Sequence, residues 1–288
     1  MAEIKADLHM HGPIGFQDYW LQSQGYEGKN LLKEIADSCF NKGVNLCAIT
    51  SDEDDIPRGS IHDRFNWLKD NYAGRLPENY EFDTIGKDAG MIVKNGQRLY
   101  LVNGQTVRTG KKGEDIDYLV IGTNQIQNHR DLEWTAKTVH ENEAMFGGAE
   151  HAFCESHGGM GRENMDRLLK YMSFIEGHNS QLIFPVPGFV PVFGNYRRGL
   201  NKQAQKYAQK NNIPWIATSD AHRIEDAGIS YIGFDSSKLD PSSGEALVKT
   251  LRRVIESDDF TRYCRYEKIL PWIGWVSKFI TGTKLHNM

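Results

Sequence analysis

Hydrophobic and polar positions follow two periods along this chain, and the switches between them mark its elements. Residues 4–10 (IKADLHM) alternate apolar and polar, the period of a strand. Residues 30–43 (NLLKEIADSCFNKG) change to helical spacing and end on Gly43, where a helix C-terminus favours glycine. A strand (NLCAIT) and a second helical segment (residues 60–74, SIHDRFNWLKDNYAG) follow. Between Phe82 and Thr123 the pattern alternates again, with Asn95-Gly96 as a hairpin turn. Helical spacing over residues 131–146, a strand at GGAEHAF and helical spacing over 161–172 come next. The remaining elements are FIEGHN (strand), residues 197–212 (helix), IPWIATSDAH and ISYIGF (strands) and residues 244–259 (helix). The stretch 178–196 carries Pro185, Pro187 and Pro191 and is expected to be a loop.

Short buried strands alternating with amphipathic helices predict a parallel α/β fold, and roughly seven such units close a barrel. Polar residues fall where the strands end: His11, Asp52, Gln105, His151, Glu176, Asp220 and His222. In parallel α/β folds that rim carries the chemistry. No glycine-rich phosphate loop follows the first strand, so nucleotide-binding folds lose support. The expected organisation is a barrel domain over 1–259 and an extension over 260–288, which holds five Lys/Arg against one Glu together with six aromatic residues. Such a basic, aromatic segment is a candidate for contact with nucleic acid or a protein partner.

Composition narrows the class. At 288 residues the chain is long enough for a sizeable core, and 39% hydrophobic with 25% charged residues is ordinary for a globular protein. A net charge of -4 argues against general nucleic-acid affinity without excluding a local basic patch. No stretch is long and apolar enough for a transmembrane segment, and the start has no apolar leader. Four cysteines without C-x-x-C spacing are expected to be reduced thiols in a cytoplasmic protein.

Two coordinating pairs stand out. Asp7, His9 and His11 alternate on the first strand and are expected to share one face, and Asp220 and His222 do the same near the end. Barrel closure would make the two sets neighbours, with His151 at another strand end between them. Imidazole nitrogens and carboxylate oxygens are the donors that borderline divalent metals take.

These residues resemble the PHP (polymerase and histidinol phosphatase) domain of metal-dependent phosphoesterases. DLHMH is similar to its opening motif, AITSDED to its second, Asn103-Gly104-Gln105 to a Gly-x-Glu, DYLVIG to a His-x-Leu-Gly stretch, GGAEHAF to a Gly-Gly and Ala-His-Pro motif, and EGHN to a Glu-x-x-Asn. The closing Ser219-Asp220-Ala221-His222 is intact. The resemblance spans residues 4–234 and implies a distorted (β/α)7 TIM-like barrel with one to three divalent ions (Mn²⁺, Zn²⁺, Fe²⁺ or Mg²⁺) at the C-terminal rim. It implies that His9, His11 and Asp220 hold the first ion, His151 the second, and His222 a third ion or a substrate phosphate, with Glu176 as a further carboxylate.

Departures from the pattern put Gln105 where the family has a bridging glutamate, and Asp52 and Asp117 where it has histidines. Those oxygen donors favour harder ions such as Mn²⁺ or Mg²⁺. The implied activity is hydrolysis of a phosphomonoester or phosphodiester of a small molecule or nucleotide by a metal-activated hydroxide, with Asp220, His151 and His222 in the catalytic centre. Arg58, Arg197 and Arg223 are candidates to hold phosphate oxygens. The alternatives are an amidohydrolase-type hydrolase and a non-catalytic PHP-like module that binds a partner or ligand.

Overall fold

The computed structural model describes residues 2–12, 25–52, 63–110, 115–182, 190–268 and 274, with backbone alone for 190–198. The described residues contain eleven strands and six α-helices. The strands are β1 (Glu3–Met10), β2 (Leu46–Ser51), β3 (Tyr80–Gly86), β4 (Ala89–Lys94), β5 (Gln97–Thr109), β6 (Ile116–Ile121), β7 (Phe146–Ala149), β8 (Phe174–Asn179), β9 (Trp215–Thr218), β10 (Tyr231–Asp235) and β11 (Thr261–Tyr263). The helices are α1 (Leu31–Lys42), α2 (Arg64–Tyr72), α3 (Leu132–His140), α4 (Gly161–Leu168), α5 (Val190–Asn211) and α6 (Gly244–Glu256).

Nine strands form one path in the order β11-β10-β1-β2-β5-β6-β7-β8-β9, curled into a nearly closed barrel. The gap is bridged beyond β9. Asp220 N donates to His9 O (2.8 Å) and His11 N to Ala221 O (2.9 Å), so residues 219–221 lie against the end of β1. Closure therefore happens at the rim, through the segment that carries Asp220 and His222.

The sheet departs from a uniform (β/α)7 arrangement. The pairs β1–β2, β2–β5, β7–β8 and β8–β9 are parallel, but β6 runs antiparallel to both β5 and β7. Only residues 110–115 join β5 to β6, far too few for the crossover of a dozen or more residues that a parallel neighbour requires. β10 is antiparallel to β1, and β11 continues that edge, so the chain just past Phe260 is part of the sheet.

Local chemistry explains the elements. Asn30 caps α1 by accepting from Lys33 N (3.1 Å), and Gly43 ends it at φ 70°, as expected from its position. Asn95 and Gly96, both at positive φ (50° and 81°), make the tight turn between β4 and β5. The expected loop over 178–196 is corrected in part: α5 begins at Val190, and Pro191 falls in its first turn, where a missing N–H costs no helical bond. The segment 183–189 lies outside the described residues.

Leu8, Ala48, Val102, Phe174 and Ile216 fill the barrel, with Leu247, Leu251 and Ile255 of α6 packed among them. A second cluster lies under α1 and α2, and a third under α3, α4 and α5. β1 changes allegiance partway. Ala6 and Leu8 belong to the barrel core, but Met10 packs with the α1 cluster, because the pairing with β2 shifts between Asp7 and Met10. Such a bulge reverses which face each side chain takes. It separates Asp7 from His9 and His11, against the expectation that all three share a face. Among the described residues no helix is long and apolar enough to cross a membrane.

Candidate metal centre

Three strand ends and the closing segment bring their polar side chains together at the rim. His9 and His11 come from the end of β1, Glu150 and His151 from the turn after β7, Asp220 and His222 from the turn after β9, and Asp117 from β6. β7 can approach this closely because its Gly147-Gly148 pair has no side chains; a Cβ on Gly148 would collide with Phe174 O of β8. The backbone is bent to aim two of the donors. His151 has φ 27° and Asp220 φ 50°, a region that non-glycine residues enter at a cost and keep only when their surroundings demand it.

His9 Nε2 lies 2.9 Å from His11 Nε2, 3.4 Å from Asp220 Oδ1 and 3.3 Å from Glu150 Oε1. His11 Nε2 is 3.3 Å from Asp220 Oδ1. Two donors about 2.1 Å from one ion, at tetrahedral or octahedral angles, lie about 3.0–3.4 Å apart, which is the spacing found here. Each ring's other nitrogen faces an acceptor. His9 Nδ1 is 2.8 Å from Glu176 Oε1, His11 Nδ1 3.1 Å from Thr50 O, and His222 Nδ1 2.8 Å from Asp220 O. A carbonyl or carboxylate only accepts, so each Nδ1 donates and Nε2 is the nitrogen that would turn its lone pair to an ion. Asp220 Oδ1 and Glu150 Oε2 are buried without a hydrogen-bond partner. Ring nitrogens and carboxylate oxygens thus converge at ligand spacing, and a divalent ion would satisfy the oxygens left without a partner. The residues fit a divalent metal.

A second group shares Glu150. His151 Nε2 is 3.1 Å from Glu150 Oε1 and 3.9 Å from Asp117 Oδ2. Asp117, Glu150 and His151 form one set of potential ligands, His9, His11 and Glu150 another, and His11, Asp220 and His222 a third. Beneath them Glu176 is fully occupied: it accepts from His151 N (2.6 Å), Asn179 Nδ2 (3.1 Å), Thr218 Oγ1 and His9. Asn179 Nδ2 also donates to Asp220 Oδ2 (2.9 Å), which leaves Oδ1 to face the histidines. Oxygens behind the imidazoles in this way fix ring orientation and tautomer.

The charges respond to the crowding. Burial opposes protonation of His9, yet Glu150, Asp220 and Glu176 outweigh it and hold its pKa well above the usual value. Burial likewise works against His151, but Glu150, Asp117 and Glu176 lift it to about 10. Asp117 is raised to about 7, first by burial and then by Glu150. His222 falls to about 4 because burial disfavours its cation, so it is neutral at pH 7.

Not every expected residue joins. Gln105 is engaged elsewhere: its Nε2 donates to Ile126 O (2.8 Å) and its Oε1 accepts from Ile126 N (3.0 Å), so both amide atoms pair with one residue's backbone. Glu150 is the carboxylate that two of the groups of potential ligands share. Asp52 Oδ1 accepts from Arg64 (2.7 Å), while its Oδ2 stands 3.7 Å from His11 Nδ1, a nitrogen turned away from the ligand cluster. Arg223 is turned to Asp226 and Glu267 (2.7 Å to the latter) and not to the cluster. Arg58 and the side chain of Arg197 lie outside the described residues. Asp7 is fully buried and accepts from Ser219 N (3.0 Å), Ser219 Oγ and Gly228 N (2.8 Å), a structural clamp on the closing segment.

Glu150 and Arg64 are the residues that the pattern did not flag. Glu150 precedes His151, and neighbours along a strand point to opposite faces, so alternation assigns only one of them to the rim. The strand ends at Ala149, and the turn that follows brings both inward. Arg64 is buried at the start of α2 and donates to His11 O (3.0 Å) as well as Asp52, tying α2 to the end of β1.

A family model described as PHP-associated matches residues 198–254, the stretch from α5 through the closing segment to α6, and this match supports a member of the PHP-domain family. Among solved structures the chain is similar to PsfC from Pseudomonas syringae, at 14% identity and a TM-score of 0.56, over 99% of this chain and 100% of that one. At that identity the likeness is one of fold. No curated protein matches the chain.

Proposed function

We propose that this chain is a divalent-metal-dependent phosphoesterase that hydrolyses a phosphomonoester or phosphodiester. The observation that carries this reading is the convergence of His9 Nε2, His11 Nε2, Asp220 Oδ1 and Glu150 Oε1, buried and within 3.4 Å of their neighbours. His9, His11, Asp220 and Glu150 would hold one ion, Asp117, His151 and Glu150 a second, and His222 with His11 and Asp220 a third. When bound, such ions supply Lewis acidity toward a phosphoryl oxygen and acidify water.

The chain's own residues set the rest. Glu176 and Asn179 hold His9, His151 and Asp220 in position. His222, neutral at pH 7, offers a lone pair to an ion, and His151 Nε2 would take one by giving up the proton that Glu150 and Asp117 otherwise hold on that ring. Arg108 of β5, paired in register with Asp117, is the arginine that this arrangement offers to a phosphate oxygen. The oxygen-rich second group, Asp117 with Glu150, favours Mn²⁺ or Mg²⁺ over Zn²⁺.

The test is metal analysis of protein purified without chelator, followed by hydrolysis of p-nitrophenyl phosphate and bis-p-nitrophenyl phosphate with added Mn²⁺. At least one equivalent of divalent metal is expected, lost in the His9→Ala/His11→Ala double variant with the fold retained. Protein that arrives metal-free and takes up neither Mn²⁺ nor Zn²⁺ overturns the reading. Metal uptake without hydrolysis of either ester sinks the catalytic half and leaves a binding module.

A further inference from the structure

We propose that the exposed face of α5 docks the sugar–phosphate backbone of a nucleic acid. Although the whole chain has a net charge of -4, no Asp or Glu occurs in the 43 residues 177–219, which hold Arg197, Arg198, Lys202, Lys206 and Lys210. Lys202, Lys206 and Lys210 are exposed and follow one another at four-residue steps, so they stack on one face of the helix. At about 1.5 Å rise per residue their stems cover about 12 Å of helix, the length of several consecutive phosphates at about 3.4 Å per nucleotide of a strand.

In other helices of the described residues, several cations have an acid one turn on: Lys33 and Asp37, Lys137 and Glu141, Arg252 and Glu256. α5 has no acidic residue to do this. Like charges four apart destabilise a helix, and an anion that meets such a row relieves the repulsion. The row borders a groove of about 440 Å³ between α4 and α5 that Arg162 also lines, with Phe153 and Tyr207 at its wall and no carboxylate in its lining. Asp166 stands close by, occupied by Tyr207 Oη (2.6 Å) and 3.9 Å from Arg162.

Two features favour nucleic acid over other anionic surfaces. Among the described side chains of α5, the apolar ones beside the lysine row (Leu200, Ala204, Tyr207 and Ala208) are buried against the protein, so this stretch offers no apolar side chain to a lipid layer. A row of evenly stepped ammonium groups suits a polymer with evenly stepped charges, and lysine is a general point-charge partner of phosphate. Phe153 lies two residues past His151, so the groove begins beside the loop of the metal centre.

Binding is measured on the full chain by fluorescence anisotropy with a labelled 12-nucleotide single strand, from 25 to 200 mM salt. The expected result is salt-dependent binding that the triple variant Lys202→Gln/Lys206→Gln/Lys210→Gln weakens at least tenfold, with a log–log salt slope smaller by about 2. A control triple, Lys69→Gln/Lys137→Gln/Lys238→Gln, removes the same charge elsewhere and should stay within twofold of wild type. No binding at 25 mM salt, equal loss in both triples, or equal affinity for a labelled poly-glutamate peptide overturns the proposal. Because the readout is binding and not hydrolysis, an inactive metal centre leaves it intact, and its failure leaves the phosphoesterase reading intact.

Discussion

Glu150 Oε1 stands 3.3 Å from His9 Nε2 and 3.1 Å from His151 Nε2, so one carboxylate serves two groups of potential ligands. An anionic oxygen between two cations gains electrostatic energy from both. Glu150→Gln should therefore lower metal stoichiometry by at least one equivalent at matched Mn²⁺, measured by elemental analysis. Gln105→Glu should not raise it, because that side chain already pairs with Ile126; replacing its amide donor with a carboxylate sets two acceptors against each other at Ile126 O. A lower thermal midpoint with unchanged metal content is the expected outcome, and a gain of metal would return Gln105 to the bridge. Gln105 lies inside β5, not at a strand end as expected, and Glu150 in the turn after β7; their partners decide which one meets the histidines.

At the scale of elements, α1 is tied to the β3–β4 hairpin by one carboxylate. Asp37 of α1 accepts from Lys33 (2.8 Å), from Tyr80 of β3 and from Lys94 of β4. Partial burial pushes its pKa up, but these three donors outweigh burial and bring it from 3.8 to about 2. A carboxyl lowered on folding stabilises the fold above its unfolded value and loses that contribution as the pH falls toward its folded one. Asp37→Asn should lower the urea midpoint at pH 7, and the gap to wild type should narrow as the pH drops below about 4. A gap that stays constant from pH 7 to 3 would show that the ion pairs contribute nothing there. The glycine end of α1 and the Asn95-Gly96 turn were legible because their signals are local: residues that tolerate positive φ, placed where the chain must turn. The antiparallel run of β6 was not, since alternation has the same period in either direction.

For the molecule as a whole, the closing segment couples metal and fold. Asp220 and His222 lie on residues that complete the barrel against β1, so an ion gripped by His9, His11 and Asp220 ties the first strand to the last turn of the circuit. A ligand at about a hundred times its Kd stabilises the native state by about 2.7 kcal/mol, which for a chain of this size raises Tm by about 4–5 °C. Mn²⁺ added to chelator-treated protein should produce a shift of this order in a thermal melt, and His9→Ala/His11→Ala should abolish it. An unchanged Tm in wild type would mean that the ion does not bridge the closure.

The order of strands and helices, the glycine end of α1 and the two histidines of β1 were determined by short-range pattern, because each depends on residues within a few positions of one another. The same pattern ran a strand on to His222, whereas β9 ends at Thr218 and the chain turns at Asp220 (φ 50°). What folding alone decided is which of these meet. The bulge in β1 removed Asp7 from the site and left His9 and His11 in it. The turn after β7 recruited Glu150, the backbone of Ile126 claimed Gln105, and Arg64 claimed Asp52. In each case the deciding contact joins residues far apart in sequence or turns on a single backbone angle, and the period of hydrophobic and polar positions carries no record of either.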